Sequence, residues 1–435
     1  MSRNNDMQQR AASVIPGMTQ LLSKRPDQFS LGAWPGYFSK ASGATVRDLD
    51  GTTYLDMSIG GIGATILGYA NPEVDAAVLE TVKNGVASSL NCPEEVLLAE
   101  RLCDIHGWAD MVRLTRSGGE AMAVAVRIAR TATRRSTIAF CGYHGWHDWY
   151  LAANLRKDSL GGHLLHGLDA GGVPQELAGT ARPFTYNHPE KLDRIIDETN
   201  GELAAIVMEP MRSTRPDPGF LDHVAAQAKK CGAVLIFDEI SAGFRLGLGG
   251  AHAFITSVTP DMAVFAKAMG NGYPIAAVIG TRSVMNEAQN SFISSTNWTE
   301  RIGPTAALAT LDILERDMPF EELGRLGRAV KQIWQTAATT HGLDISIGGM
   351  DPMGHFQFAE QHDLCKALFV EAMLERGILA SSLFYAMSAH TEAHIQRYAE
   401  ATDAAFKQVA TALQSDDPAK QLHGAPAASG FTRLA

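Results

Sequence analysis

The stretch VLIFDEISAGFRLGLGGAHAFITSVTPDMAVFAKAMGNGYPIAAVIG, residues 234–280, ends one apolar run in Asp238 and a second in Lys267. Apolar runs of four to seven residues that stop at a polar or glycine residue read as strands buried on both faces. In open parallel sheets ligands sit beyond the carboxyl ends of the strands. A carboxylate and an amine at two such ends, with Gly270-Asn271-Gly272 just beyond the amine, mark the edge where a ligand is expected.

The same texture continues on both sides. From about residue 95, MVRLTRS, STIAFCG and LAAIVMEP are further short apolar runs. They alternate with helical patterns such as PEEVLLAERLCDIHG, GEAMAVAVRIARTAT and GFLDHVAAQAKKCG. Apolar runs joined by crossover helices predict an α/β fold with a mostly parallel, helix-covered sheet. Upstream, GATVRDLDGTTYLDMS alternates around Asp50-Gly51 and reads as a hairpin. NPEVDAAVLETVKNG reads as an amphipathic helix, capped by Asn71 and stopped by Gly85. Residues 1–30 read as a mobile polar end followed by a short helix.

Beyond about residue 305 the pattern changes. The long helix PTAALATLDILERD leads out of the sheet, and FEELGRLGRAVKQIWQTAATTHG, HFQFAE and EAHIQRYAEATDAAFKQVATALQ suggest a smaller α+β domain. The expected division is residues 1–60 contributing to the small domain and the active site, 61–315 the large domain, and 316–435 the small domain. The final HGAPAASGFTRLA reads as an exposed tail or a segment packed on a neighbour.

Composition narrows the function classes. A net charge of −10 over 435 residues, without a basic run, argues against nucleic acid as a partner. The five cysteines are scattered and odd in number, which favours free thiols in a reducing cytoplasm. No apolar run reaches membrane-spanning length, and the first residues lack the apolar core of a signal peptide. His144 and His147, spaced i, i+3, lack the further ligands of a metal site, so no metal is expected. No Gly-x-Gly-x-x-Gly follows the first strand, which argues against a nicotinamide enzyme.

Several runs end in chemistry-bearing residues: Ser117-Gly118-Gly119, Gly142-Tyr143-His144, Glu209-Pro210, Asp238-Glu239 and Lys267. Together they supply a phosphate cradle at a helix start, an aromatic face, a carboxylate and an amine. Pyridoxal 5'-phosphate (PLP) needs these four parts: donors for its phosphate, a flat partner for its ring, a carboxylate for its pyridine nitrogen and a lysine for its aldehyde.

With RSGGEAMAVAVRIAR, YHGW, MEP, FDEISAGFR and AKAMGNGYP in this order, the sequence resembles the class III (subgroup II) PLP-dependent aminotransferases, a family that includes the glutamate-1-semialdehyde aminomutases. The resemblance implies fold type I: a large domain with a mostly parallel seven-stranded sheet, plus a smaller α+β domain. It implies Lys267 as Schiff-base lysine and proton shuttle and Asp238 as partner of the pyridine nitrogen. Tyr143 and Ile240 would cover the two ring faces, Ser117, Gly118 and Gly119 would hold the phosphate, and Glu209 would lie beside the cofactor. Thr299 would reach the phosphate of a neighbouring subunit, so a homodimer with shared sites follows. The substrates would be a small amine and a carbonyl compound.

Departures from the family bear on the reaction. Gly119 stands where the family often has threonine. MRSTRPDPGF follows Glu209-Pro210 in place of an Asn-containing run, leaving Arg212 or Arg215 to bind an anionic substrate or to sit at the surface. LASSLFYAMSAH has no glutamate, and FSLGAWPGYFSKASG has no arginine, where the aminomutases carry them. Trp34, Tyr37 and Trp146 would then line a pocket for a larger or flatter substrate. These losses favour a two-substrate aminotransferase over an intramolecular aminomutase. Glu300 and Arg301 read equally well as active-site residues or a solvated ion pair.

Overall fold

The computed structural model describes residues 2–156, 160, 167–211 and 213–428. The chain divides into two compact units, one of Met1–Asn71 with Glu321–Ala435, the other of Pro72–Phe320. The first three strands, β1 (Phe38–Ser42), β2 (Thr45–Asp48) and β3 (Thr53–Asp56), belong to the first unit. The next seven build the second: β4 (Met111–Thr115), β5 (Thr137–Cys141), β6 (Ala181–Pro183), β7 (Leu203–Met208), β8 (Val234–Asp238), β9 (Met262–Phe265) and β10 (Ala276–Gly280). The last four, β11 (Ile345–Met350), β12 (Met353–Phe358), β13 (Ile378–Leu379) and β14 (Leu383–Tyr385), return to the first unit.

In the larger unit the strands form one seven-stranded sheet in the order β4-β10-β9-β8-β7-β5-β6. Neighbours from β9 through β8, β7 and β5 to β6 are parallel. β10 is antiparallel to both β4 and β9, so β4 points the same way as the parallel set. The expected mostly parallel sheet is present, with one reversal that the sequence reading did not identify. Too few residues separate β9 from β10 for a crossover helix, so β10 can only return antiparallel. The consequence for function is direct. The carboxyl ends of β4, β5, β7, β8 and β9 all open at one edge.

Burial explains why these runs are strands. β7, β8, β9 and β10 are buried at every position. Helix Gly118–Thr133 covers the sheet with a stripe of Ala121, Met122, Ala125, Ile128 and Ala129, all fully buried in the same apolar cluster as Ile138, Val207, Ile236 and Val278. That alternation of apolar residues at three- and four-residue spacing is the periodicity seen in its sequence.

In the smaller unit the strands form two sheets, β1-β2-β3-β13 and β11-β12-β14. The Asp50-Gly51 turn joins β2 to β3, with Gly51 in the left-handed region at φ +94° and Thr52 N–H donating to Asp48 Oδ1 at 2.9 Å. Two expectations are corrected here. The N-terminal segment is helical from Arg3 to Val14. Its polar residues hide the register: Asn4 and Gln8 are buried, bonded to Asp50 Oδ2 and to Trp34 O. The described part of the C-terminal segment is not an exposed tail. Buried Glu371 accepts from His423 N–H and Gly424 N–H, and Ala425 N–H donates to Leu31 O.

Two buried histidines make a pH prediction. His106 Nε2 accepts from Gly250 N–H at 3.1 Å while its Nδ1 faces Leu102 O at 2.9 Å. His390 Nδ1 accepts from Met387 N–H at 3.0 Å while its Nε2 faces Asp56 O at 2.8 Å. Each ring needs one bare nitrogen, and burial pulls each pKa down from 6.5 to about 4. The folded rings stay neutral while unfolded ones protonate, so their contribution is full above pH 6.5 and is lost as pH falls towards 4. The loss is about 3 kcal/mol for each ring. Chemical unfolding followed from pH 7 to 4.5 is expected to show stability falling with a slope of about two protons; a slope below one proton contradicts this.

Candidate active site

At the sheet edge three loops, those after β4, β5 and β8, approach each other closely. After β4 the chain turns at Ser117, whose extended backbone (φ −139°, ψ 153°) caps helix Gly118–Thr133 without a side-chain hydrogen bond. The first-turn N–H groups of that helix are therefore left for another acceptor. A Cβ on Gly118 would lie 2.9 Å from Ile240 Cδ1, and one on Gly119 would lie 3.2 Å from His147 Nδ1. Gly145, at φ +98°, would place a Cβ 2.9 Å from Gly119 Cα. Glycine at these positions is what lets the three loops meet.

After β5 the chain enters a loop through Gly142 at φ +127°. Glu209, just past β7, accepts from Tyr143 N–H through Oε2 at 3.1 Å and would clash with any side chain on Gly142. Glu209 thereby fixes Tyr143, whose ring packs edge-on against Tyr150 with centroids 5.9 Å apart and is partly exposed. Burial and the negative charge of Asp238 raise the Tyr143 phenol pKa, which keeps it protonated.

Asp238 ends β8 and is buried. Its Oδ1 accepts from Ile240 N–H at 3.0 Å, and its Oδ2 lies 2.7 Å from His144 Nδ1. The His144 ring stacks on Trp149 at 6.1 Å, and its buried Nε2 has no hydrogen-bond partner among the described residues. Glu239 next door turns to structural work, accepting from Ala251 N–H and from both the backbone N–H and Nδ1 of His252. Lys267 follows β9 in the left-handed region at φ +47°, and its Nζ donates to Ser241 Oγ at 2.7 Å. Its amine is thus held three residues beyond Asp238 in the loop that also carries Ile240.

The edge gathers Ser117, Gly118, Gly119, Tyr143, Glu209, Asp238, Ile240 and Lys267. Thr299 stands apart from that group: it is exposed, and its Oγ1 donates to Thr296 O at 2.9 Å. Its flanking residues connect to the glycine turn through Arg116, which donates to Trp298 O and Glu300 O and pairs with Glu300 Oε1 at 2.7 Å. Glu300 also accepts from Ile302 N–H and Gly303 N–H, while Arg301 is bidentate on Glu94. Both therefore have structural partners. Arg215 is exposed and its carbonyl accepts from Asn187; Arg212 lies outside the described residues.

Sequence reading did not assign His144, Ser241 or Arg116 to the site. His144 stands in the sequence at a chemistry-bearing run end and in the YHGW motif but with no role assigned, and no local pattern ties residue 241 to 267 or 116 to 300.

Residues 33–405 match the sequence profile of the family described as aminotransferase class-III. A 3-aminobutyryl-CoA aminotransferase of Cloacimonas acidaminovorans is 32% identical, over 82% of this chain and 84% of that protein. A glutamate-1-semialdehyde 2,1-aminomutase of Dechloromonas aromatica is 34% identical, over 93% and 99%. The solved PLP internal aldimine form of the FumI protein of Sphingopyxis sp. MTA144 superposes with a TM-score of 0.86 at 26% identity, covering 96% of this chain and 98% of that one. The chain belongs to the class-III aminotransferase family.

Proposed function

We propose that this chain is an aminotransferase that carries an amino group from a small amine to a carbonyl acceptor with PLP as resident cofactor. The observation that carries the reading is Lys267 Nζ held at 2.7 Å on Ser241 Oγ, in the loop that follows the buried Asp238 at the end of the neighbouring strand. The surroundings fit the cofactor: a helix start with open N–H donors, glycines with no room for side chains, and a buried acid for the ring nitrogen. Bound there, the cofactor supplies an electron sink for the charge left when the donor's Cα loses its proton.

The chain's own residues do the rest. Ser117, Gly118 and Gly119 hold the phosphate at the positive end of helix Gly118–Thr133. Tyr143 and Ile240 hold the ring between them, and Glu209 fixes the Tyr143 backbone. Asp238 keeps a positive charge on the pyridine nitrogen, and His144 aims that carboxylate. Lys267 Nζ, neutral when free, removes the proton from the donor's Cα and delivers one to the acceptor's carbonyl carbon in the return half-reaction. Ser241 Oγ takes a hydrogen bond from this amine and orients it.

The enzyme works as a homodimer with shared sites, Thr299 serving the phosphate of the neighbouring subunit; its exposure in the single chain supports this. A cytoplasmic location is supported by free cysteines at all five positions. Among the described residues no helix is long and apolar enough to cross a membrane.

The reaction type is tested by single turnover. The yellow holoenzyme is mixed with a panel of amines and amino acids without acceptor. A donor is expected to bleach the visible band and release a carbonyl product, leaving pyridoxamine phosphate. Release of an isomerised amine, with no carbonyl product, would make the enzyme an aminomutase instead.

A further inference from the structure

Arg116 follows β4 and stands one residue ahead of Ser117. The chemistry at the sheet edge gives it no task. Its backbone N–H donates to Glu120 Oε2 at 3.0 Å, which ties it to the first turn of helix Gly118–Thr133. Its guanidinium reaches residues 182 and 184 positions further along the chain. Nη2 donates to Trp298 O at 2.9 Å and to Glu300 O at 2.8 Å, and Nε pairs with Glu300 Oε1 at 2.7 Å. Nη1 donates to Thr115 O at 3.0 Å. All three guanidinium nitrogens are thus engaged by the protein itself. The Arg116 and Glu300 side chains are only 14% and 20% exposed, so the link is shielded from water. A shielded guanidinium fork fixes geometry where a surface ion pair does not.

Further contacts hold the far end of this link. Glu300 accepts from Ile302 N–H at 2.6 Å and from Gly303 N–H at 3.0 Å, at the start of helix Ile302–Asp317. Arg301 is bidentate on Glu94, and its N–H donates to Val86 O at 3.0 Å. Trp298 packs against the apolar cluster that fills the core of the larger unit. Residues 298, 300 and 301 are therefore pinned, while Thr299 between them is exposed.

We infer that Arg116 is a positioning residue: it ties segment 298–300 to the phosphate turn and so sets where Thr299 meets the phosphate held by the neighbouring subunit. The inference rests on the shared-site homodimer proposed above. It adds a direction to it, since the residue beside one cradle governs cofactor affinity at the other. Lysine is a poor substitute, because its ammonium lacks the planar fork that spans two carbonyls and a carboxylate.

The test is titration of apoenzyme dimers with PLP, read as the dissociation constant. Thr299→Ala is expected to weaken binding about tenfold, the cost of one charge-assisted hydrogen bond. Arg116→Gln is expected to weaken it at least about fivefold, and the double variant to bind within about twofold of Thr299→Ala alone, as two residues acting through one contact should. Arg116→Lys keeps the charge against Glu300; it is expected to fold and still to bind at least about threefold more weakly than wild type. A mixed dimer reads the direction. One subunit carries Arg116→Gln and the other Lys267→Ala, so that only the first gives the visible band. That band should titrate with wild-type affinity, because its phosphate meets the unaltered segment of the other chain. Unchanged affinity in Thr299→Ala refutes the shared site and the inference with it. If Thr299→Ala binds weakly, the shared site stands and three results overturn the inference alone: unchanged affinity in both Arg116 variants, additive losses in the double variant, or a weakly titrating visible band in the mixed dimer. Arg116 would then be a staple of its own turn.

Discussion

Replacing Lys267 with alanine is expected to lower kcat at least about 10³-fold, because in the proposed reaction this residue supplies both the covalent anchor and the proton-transferring base. The fold should survive. Lys267 sits in a short turn with positive φ, where alanine is no more strained than lysine. The check is steady-state turnover alongside thermal unfolding. A collapse in activity at near-native Tm fits a chemical role, whereas an equal loss in both would mean that Lys267 mainly supports the loop.

The second large effect is expected at Asp238. Asp238→Asn keeps the shape but removes the charge proposed to face the ring nitrogen, and turnover should fall about 10² to 10³-fold, the usual cost of losing one preorganised electrostatic contact. Stability should fall as well, for a separate reason. Ile240 N–H and His144 Nδ1 use different carboxylate oxygens, and an amide offers one oxygen in their place. Either a buried donor is left unmet, at about 1–3 kcal/mol, or the imidazole changes tautomer. Kinetics with chemical unfolding separates the two effects. Near-wild-type turnover in Asp238→Asn would remove Asp238 from the chemistry whatever its effect on stability.

The strand ends were the most legible part of the chain. Asp238 and Lys267 close apolar runs whose length and full burial leave only the strand reading, and a parallel sheet puts such ends at one edge. Less legible was β10, because its antiparallel return depends on the short link after Lys267 and not on any difference in its own apolar run. The N-terminal helix was obscured because Asn4 and Gln8 occupy positions that an amphipathic pattern would fill with apolar residues, and each is satisfied by a distant partner. The same holds for the inner support of the site. His144 meets Asp238 across 94 positions and Ser241 meets Lys267 across 26, contacts fixed by packing and invisible to local periodicity. The cradle glycines had a readable composition, but their reason, the near-contact of Gly145 with Gly119 and of Gly118 with Ile240, is tertiary.

The covalent role of Lys267 is tested most directly by reducing the holoenzyme with borohydride, digesting it and locating the pyridoxyl mass by peptide mass spectrometry. The account predicts that mass on the peptide containing Lys267, and its loss in Lys267→Ala. A pyridoxyl group on another lysine, or cofactor that remains bound yet leaves every lysine unmodified, would contradict it.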